Sequence, residues 1–234
     1  MKQLVDFFQS KTADSILDVG TGSGDFIEVL REIFPFAKIT GVDPDQESLD
    51  SAKEKYTDAT FRKMAGEDLE FANHTFDLVS ISMALHHLPD IQQALMEMQR
   101  VVKPEGWIIV NELFSDNLNP AQETHKMFHH FRSKIDRLTG INHNETFGKD
   151  EIRKMVTEAG IQVLFEFENK IDPIVINLME ELETRLGKMY KHLEKINGRP
   201  EYDIFKPQIE QFRLAALKHG FQSATRIVIV GKPS

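Results

Sequence analysis

Residues 17–26, LDVGTGSGDF, form a glycine-rich segment directly after an apolar β-type run and directly before an apolar run with helical spacing. Glycine lets the backbone turn tightly and approach a ligand closely, and a following helix presents unpaired N–H groups in its first turn. A glycine-rich turn between a strand and a helix is typical of nucleotide-binding α/β folds. The segment therefore predicts such a fold, with the ligand at the carboxyl end of the first strand.

Carboxylates around this turn restrict the kind of ligand. The dinucleotide fingerprint G-x-G-x-x-G requires glycine at position 25, where this chain has Asp25. Asp18 and Asp25 flank the place where a pyrophosphate would lie, and like charges that close are unfavourable in a partly buried cleft. The acids instead favour a cationic ligand without phosphate, such as S-adenosylmethionine with its sulfonium and ammonium groups.

Two further acidic positions follow the next two predicted strands. Asp43 comes about 20 residues after the turn, where a carboxylate can accept both ribose hydroxyls in this architecture. Residues 66–69, GEDL, follow the third strand, where a carboxylate can accept from an adenine amino group. Either acid alone could be a loop or helix-cap residue. Together with the glycine turn, they predict an adenosine lying across the strand ends.

Apolar β-type runs alternate with helical ones and predict a mostly parallel sheet. The alternation is interrupted twice, and we expect a single domain over residues 1–234 with helical insertions at 113–148 and 172–222. The second insertion repeats apolar residues in steps of four and three, which predicts a long helix followed by a second helix. Its seam packs either within the chain or in a homodimer through residues 173–197. The seam residues are Val175, Met179, Leu182, Leu186, Met189, Leu193 and Ile196.

Composition excludes several classes of protein. The chain has no cysteine, so disulfides, zinc-thiolate sites and cysteine nucleophiles are excluded. A net charge of -9 opposes nonspecific binding to nucleic acid. Neither a signal peptide nor a membrane-spanning apolar run is evident, and we expect a cytoplasmic protein with no membrane association.

The motifs after the glycine turn resemble, in order and spacing, those of class I, Rossmann-like S-adenosylmethionine-dependent methyltransferases. They are DVGTGSG at 18–24, VDP at 42–44, GEDL at 66–69, FDLV at 76–79, LHHLPD at 85–90 and VKPEGW at 102–107. The resemblance is strongest to the broad group that includes ubiquinone- and menaquinone-biosynthesis methyltransferases and many small-molecule enzymes. It covers roughly residues 15–112, 146–168 and 224–231, and it leaves both insertions unexplained.

The resemblance implies an α/β fold with a doubly wound, seven-stranded, mostly parallel sheet whose last strand is antiparallel. The helical insertions would then follow strand 5 and lie between strands 6 and 7. The resemblance also implies which residues bind the cofactor. These are Asp18, Gly20, Thr21, Gly22, Asp43, Pro44, Glu67, Asp68, Ser82 and Met83.

The resemblance further implies in-line methyl transfer to a small or medium-sized organic acceptor, with S-adenosylhomocysteine as product. The segment after the fourth strand, residues 82–87, lacks the Asn/Asp-Pro-Pro-Tyr/Phe motif common among DNA-adenine and glutamine methyltransferases, and the first insertion has balanced charges. A nucleic-acid acceptor is therefore not expected. Two alternatives remain: a cofactor-binding scaffold or regulatory partner without turnover, and an enzyme that uses S-adenosylmethionine for chemistry other than methyl transfer.

Catalytic residues are less clearly indicated, because a sulfonium methyl group is already activated and a base helps only when the acceptor is protonated. Histidine titrates nearest to neutral pH, although the paired histidines 86 and 87 also suit a structural role. We expect the insertions to cover a largely apolar acceptor pocket, with Arg132 among its polar anchors. The catalytic candidates are His87, Glu112, His129 and His130.

A metal site is not expected from the sequence. His125 and His129 form an i, i+4 pair on one face of a predicted helix, which is a spacing that can bind zinc. No HExxH signature accompanies the pair, and the nearby acids have no diagnostic spacing.

Overall fold

A computed structural model describes residues 1–170 and 178–234 of the chain. In this part, the strands are β1 (Ser15–Val19), β2 (Lys38–Asp43), β3 (Thr60–Lys63), β4 (Phe76–Ser82), β5 (Val102–Leu113), β6 (Ile161–Asn169) and β7 (Arg226–Pro233). The helices are α1 (Lys2–Phe8), α2 (Asp25–Ile33), α3 (Gln46–Lys55), α4 (Ile91–Val101), α5 (Pro120–Leu138), α6 (Lys149–Glu158), α7 (Leu178–Glu194) and α8 (Glu201–His219), with a short 3₁₀ helix at Leu85–His87.

The strands form one seven-stranded sheet in the order β3-β2-β1-β4-β5-β7-β6. β1 pairs in parallel with β2 on one side and with β4 on the other, and Asp18 stands opposite Gly41 and Ser80. β7 runs antiparallel between β5 and β6. The strand order reverses between β1 and β4, which is the position where ligands bind in open α/β sheets. The predicted fold class, including both helical insertions, is confirmed.

β5 begins at Val102 and contains an irregularity near its start. Val102 pairs with Phe76, and Trp107 pairs with Leu78, so residues 103–106 form a bulge between these pairs. At the base of the bulge, the Lys103 ammonium lies 2.7 Å from a carboxylate oxygen of Asp77. The bulge falls on the VKPEGW motif at 102–107.

Contact analysis divides the chain into two compact units. Unit 1 comprises Met1–Glu112, Asp150–Asn169 and Ile227–Ser234, and unit 2 comprises Leu113–Lys149 and Lys170–Arg226. The bounds of unit 2 lie close to those predicted for the two insertions. It stays a prediction that residues 1–234 form one domain and that residues 113–148 and 172–222 cover the substrate.

Helices and strands of unit 1 enclose an apolar core. In α2, Ile27 and Leu30 recur at helical spacing and are fully buried. The short α1 helix contributes Leu4 and Phe8 to the same core. Phe7 and Phe8 both pack edge-on against Trp107, with ring centroids 5.6 and 5.5 Å away.

Unit 2 has its own core, formed by α5, α7 and α8. Of the predicted seam, Leu182, Met189, Leu193 and Ile196 are buried there and Leu186 is partly buried. Met179 is 52% exposed and lies outside this core. Residues 172–177, where the insertion was predicted to begin and where Val175 lies, are outside the described part. The α8 residues predicted to follow, Ile209, Phe212 and Ala216, complete the core.

This packing accounts for the seam within unit 2 without a second copy of the chain. The oligomeric state, monomer or homodimer through residues 173–197, stays a prediction. Within residues 1–170 and 178–234, no helix combines the length and apolar character needed to cross a bilayer.

We expect Leu193→Ala to lower the free energy of unfolding of unit 2 by about 2–5 kcal/mol, because it leaves a cavity among α5, α7 and α8. Leu193 is 1% exposed, whereas Leu217 on α8 is 42% exposed, so Leu217→Ala is the matched control. Urea denaturation followed by circular dichroism measures both. Equal, small effects of the two substitutions would contradict the assignment of Leu193 to this core.

Candidate cofactor site

The glycine turn after β1 adopts backbone angles that favour glycine. Gly20 has a φ of +64°, and a Cβ there would lie 2.4 Å from the Cβ of Ala84. Gly22 has a φ of +52°, and none of the described residues lies within 4 Å of a Cβ built there. The N–H of Thr21 donates to the carbonyl oxygen of Val42 at 3.0 Å, which ties the turn to β2. The turn therefore packs tightly at Gly20 and borders open space at Gly22.

Asp18 is buried at the carboxyl end of β1 with only 1% of its surface exposed. The Ser80 hydroxyl donates to its Oδ1 at 2.7 Å from the neighbouring strand β4. Burial raises the pKa of Asp18 to about 6, because it disfavours the charged form, and the hydrogen bond from Ser80 opposes this rise. The charge of Asp43 raises the pKa slightly further.

Asp43 ends β2, and backbone amides orient its carboxylate. Its Oδ2 accepts from the N–H of Gly22 at 2.9 Å, and its Oδ1 accepts from the N–H of Asp45 at 2.9 Å. A carboxylate oxygen has more than one lone pair, so both oxygens can accept a second hydrogen bond. The carboxylate is thus held beside the glycine turn in a fixed orientation.

The GEDL segment after β3 is held by residues of α4. Arg100 donates to the carbonyl oxygens of Leu69 (2.7 Å) and Phe71 (2.8 Å). The Glu97 carboxylate accepts from the N–H of Leu69 at 2.9 Å. These anchors leave Asp68 exposed, while Glu67 is half-buried and accepts from the N–H of Asp90 at 3.3 Å.

The end of β4 carries a strained residue. Met83 has a φ of +56°, a left-handed conformation that is uncommon for a residue other than glycine and often marks a functional site. Its N–H donates to the carbonyl oxygen of Asn111 at 2.8 Å, and the Asn111 amide donates to the Ser82 hydroxyl at 2.8 Å. The side-chain oxygen of Asn111 is buried and accepts no hydrogen bond within the described residues.

The polar atoms at this edge of the sheet are mainly acceptors. The carboxylates of Asp18 and Asp43 and the side-chain oxygen of Asn111 can receive hydrogen bonds but have none to donate when the acids are ionised. A ligand with an ammonium group and hydroxyl groups matches such a set, whereas a pyrophosphate is repelled by it. The residues present therefore fit S-adenosylmethionine, as the sequence predicts.

Among the catalytic candidates of unit 1, Glu112 is fully buried at the end of β5. Its Oε1 lies 3.0 Å from Nδ1 of His86, which is also buried. His87 is exposed. The sequence identified the histidine pair, but only the 3₁₀ conformation of Leu85–His87 shows which histidine contacts Glu112.

The candidates in unit 2 contact other residues of that unit. His130 lies 2.9 Å from Glu145 through Nδ1 and 2.8 Å from Thr146 through Nε2, and burial lowers its pKa to about 4. His129 lies 3.2 Å from His143 through the Nε2 atoms of the two rings. His143 contacts Asp136 at 2.9 Å through its Nδ1 atom. The sequence analysis did not identify His143 or Asp136, which lie outside any motif.

Comparison with known proteins shows which proteins the chain resembles. Residues 17–110 match the family model described as "Methyltransferase domain". The chain has the fold of solved methyltransferases: over its whole length it superposes on a putative methyltransferase of Bacillus halodurans C-125, with a TM-score of 0.63, 18% identity and 98% of that chain covered. The resemblance to class I, Rossmann-like methyltransferases is confirmed.

Two curated relatives align with a larger part of the chain than the family model does. An uncharacterized methyltransferase of Schizosaccharomyces pombe is 34% identical over 145 residues, which cover 56% of this chain and 52% of that protein. A demethylmenaquinone methyltransferase of Chlorobaculum parvum is 31% identical over 143 residues, which cover 61% of this chain and 58% of that protein. The chain thus spans little more than half the length of these two relatives.

We expect Asp18→Asn to stabilise the protein at neutral pH. The folded-state pKa of Asp18 lies above its unfolded value, so the wild type loses stability as the pH rises from about 4 to about 6. The amide does not titrate, and the variant should gain up to about 3 kcal/mol relative to the wild type above that window.

Urea denaturation at several pH values measures this difference. Asp25→Asn is the matched control, because Asp25 flanks the same turn but is exposed. A variant at position 18 that is less stable than the wild type at pH 7.5 would contradict the buried-charge argument.

Proposed function

We propose that the chain is an S-adenosylmethionine-dependent methyltransferase that transfers the methyl group in line to a small or medium-sized organic acceptor. The observation that carries this proposal is the acceptor-rich lining of the glycine turn, with Asp18 buried behind it and Asp43 oriented beside it. The demethylmenaquinone methyltransferase of Chlorobaculum parvum is named for an organic acceptor, which supports the same substrate class here.

The cofactor-binding roles are proposed residue by residue. Asp43 would accept the ribose hydroxyls, Glu67 and Asp68 would contact the adenine side, and Asp18 would face the ammonium end near Gly20 and Gly22. The remaining proposed contacts are Thr21, Pro44, Ser82 and Met83. When bound, S-adenosylmethionine supplies an electrophilic methyl group on a sulfonium, with S-adenosylhomocysteine as product.

Glu112 and His86 are the pair that we propose for proton removal from a protonated acceptor. When the Glu112 carboxylate accepts the Nδ1–H of His86, it selects the tautomer whose Nε2 can take up a proton. The further candidates for acceptor contacts are His87, His129 and His130. His130 is the weakest of them, because both of its ring nitrogens already contact Glu145 and Thr146.

We expect S-adenosylhomocysteine to bind with micromolar affinity and Asp43→Ala to weaken binding by about 1–3 kcal/mol through the loss of charge-assisted hydrogen bonds. Isothermal titration calorimetry measures this, with Asp58→Ala, an exposed carboxylate after α3, as the control. Tighter binding of NAD than of S-adenosylhomocysteine would overturn the assignment of the cofactor.

We expect tritiated S-adenosylmethionine to label a small organic acceptor in a screen of phenols, quinone precursors, small amines and total tRNA. Glu112→Gln should then lower kcat by at least about 100-fold, the usual contribution of a positioned base, without changing S-adenosylhomocysteine affinity. Glu105→Gln, at an exposed carboxylate in the bulge of β5, is the control.

The same screen separates the alternatives. Labelling of tRNA or protein alone would contradict a small-molecule acceptor. Cofactor binding without any turnover would favour a scaffold or regulatory partner. A bound cofactor of altered mass would favour chemistry other than methyl transfer.

A further inference from the structure

Two arginines of unit 2 lie against the same aromatic ring. Cζ of Arg132, on α5, is 5.5 Å from the ring centroid of Phe128, and Cζ of Arg185, on α7, is 5.1 Å from the same centroid. Cζ of Arg185 is also only 3.5 Å from the ring centroid of Phe221. Two like charges are therefore held close together beside two aromatic rings.

The positive charge of Arg132 and Arg185 is only partly balanced by carboxylates. The Nε atoms of both arginines are buried and have no hydrogen-bond partner within the described residues. Glu181 contacts Arg185, and none of the described carboxylates is within ion-pair distance of Arg132. Aromatic faces attract a guanidinium, but they do not replace a strong hydrogen-bond acceptor. A buried N–H group of a charged residue that has no hydrogen-bond acceptor lowers the stability of the folded protein.

The pKa values of neighbouring groups indicate the same positive electrostatic potential. The pKa of Arg185 is lowered, mainly by burial and also by the charge of Arg132. The pKa of His125 is lowered to about 4, first by burial and then by the charges of Arg185 and Arg226. Because His125 is neutral at physiological pH, it does not add a further cation.

The hydrogen bonds of Arg100, whose side chain is 32% exposed, differ from those of this pair. All three guanidinium nitrogens of Arg100 donate hydrogen bonds, to Glu97, Asn73 and the carbonyl oxygens of Leu69 and Phe71. Its donors are used within the protein, whereas Arg132 and Arg185 retain donors without partners. This contrast indicates a ligand rather than a purely structural role for the pair.

We propose that Arg132 and Arg185 bind an oxyanion, a carboxylate or a phosphate group, carried by a molecule whose apolar part packs against Phe128 and Phe221. The planar guanidinium forms paired hydrogen bonds with either oxyanion. An anion would neutralise the like charges and supply acceptors for the buried N–H groups. The site lies wholly within unit 2.

The test is calorimetric titration of the untagged chain, residues 1–234, with benzoate, phenyl phosphate, inorganic phosphate and, as the neutral control, benzyl alcohol. We expect benzoate or phenyl phosphate to bind more tightly than benzyl alcohol, and the stronger of the two identifies the oxyanion. Arg132→Gln and Arg185→Gln should each weaken that binding roughly 10- to 100-fold. Arg213→Gln, at an exposed arginine of α8 paired with Glu210, should bind as the wild type does.

Nuclear magnetic resonance of arginine-labelled wild type keeps the test independent of the stability of the variants. The Nε–H signals of two arginines should shift when the anion is added, and the Arg132→Lys variant should lack one of these signals. Failure of both anions to bind at millimolar concentration, or binding that does not change in either glutamine variant, would overturn the proposal.

Cofactor titration separates this proposal from the proposed function. Asp43→Ala should lose affinity for S-adenosylhomocysteine and keep affinity for the anion, whereas Arg132→Gln should do the reverse. Anion binding by a protein that binds no S-adenosylhomocysteine would support the arginine site and refute the methyltransferase activity.

Discussion

The buried carboxylate of Asp18 is the constraint on which the candidate cofactor site depends. Burial disfavours its charge, and the Ser80 hydroxyl offsets part of that cost from the neighbouring strand. Because β1 and β4 are adjacent and parallel, their register places Ser80 directly opposite Asp18. The site therefore stores unfavourable electrostatic energy that a bound cation would release, which links cofactor affinity to the register of the central strands.

The two compact units position their candidate functional groups in different ways. In unit 1, functional groups lie at strand ends, where backbone amides orient them, as at Asp43. In unit 2, the candidate groups project from long helices, and side chains such as Glu145 and Asp136 position the histidines. Backbone amides therefore orient the candidate groups of unit 1, and side-chain contacts orient those of unit 2.

The positions of the acids relative to the strands could be predicted because the necessary information is local. Asp18 and Asp43 lie at the carboxyl ends of β1 and β2, Glu67 and Asp68 follow β3 by four and five residues, and parallel strands bring their carboxyl ends together. The anchor Arg100 could not be predicted, because it acts on the GEDL segment from about 30 residues away, on another helix. Which of the two histidines contacts Glu112, His86 or His87, depends on the 3₁₀ turn at Leu85–His87. Met179 fitted the heptad pattern, but periodicity gives only the face of a helix and not how far along its length that face is covered.

Trp107 has a consequence for how the protein can be observed. It is the only tryptophan in the chain, and it lies in unit 1 against Phe7 and Phe8. Its fluorescence emission therefore reports the environment of unit 1 alone, whereas far-ultraviolet circular dichroism also detects α5, α7 and α8. Coincident transitions from the two signals would show that the units unfold cooperatively, and separated transitions would give each unit its own stability.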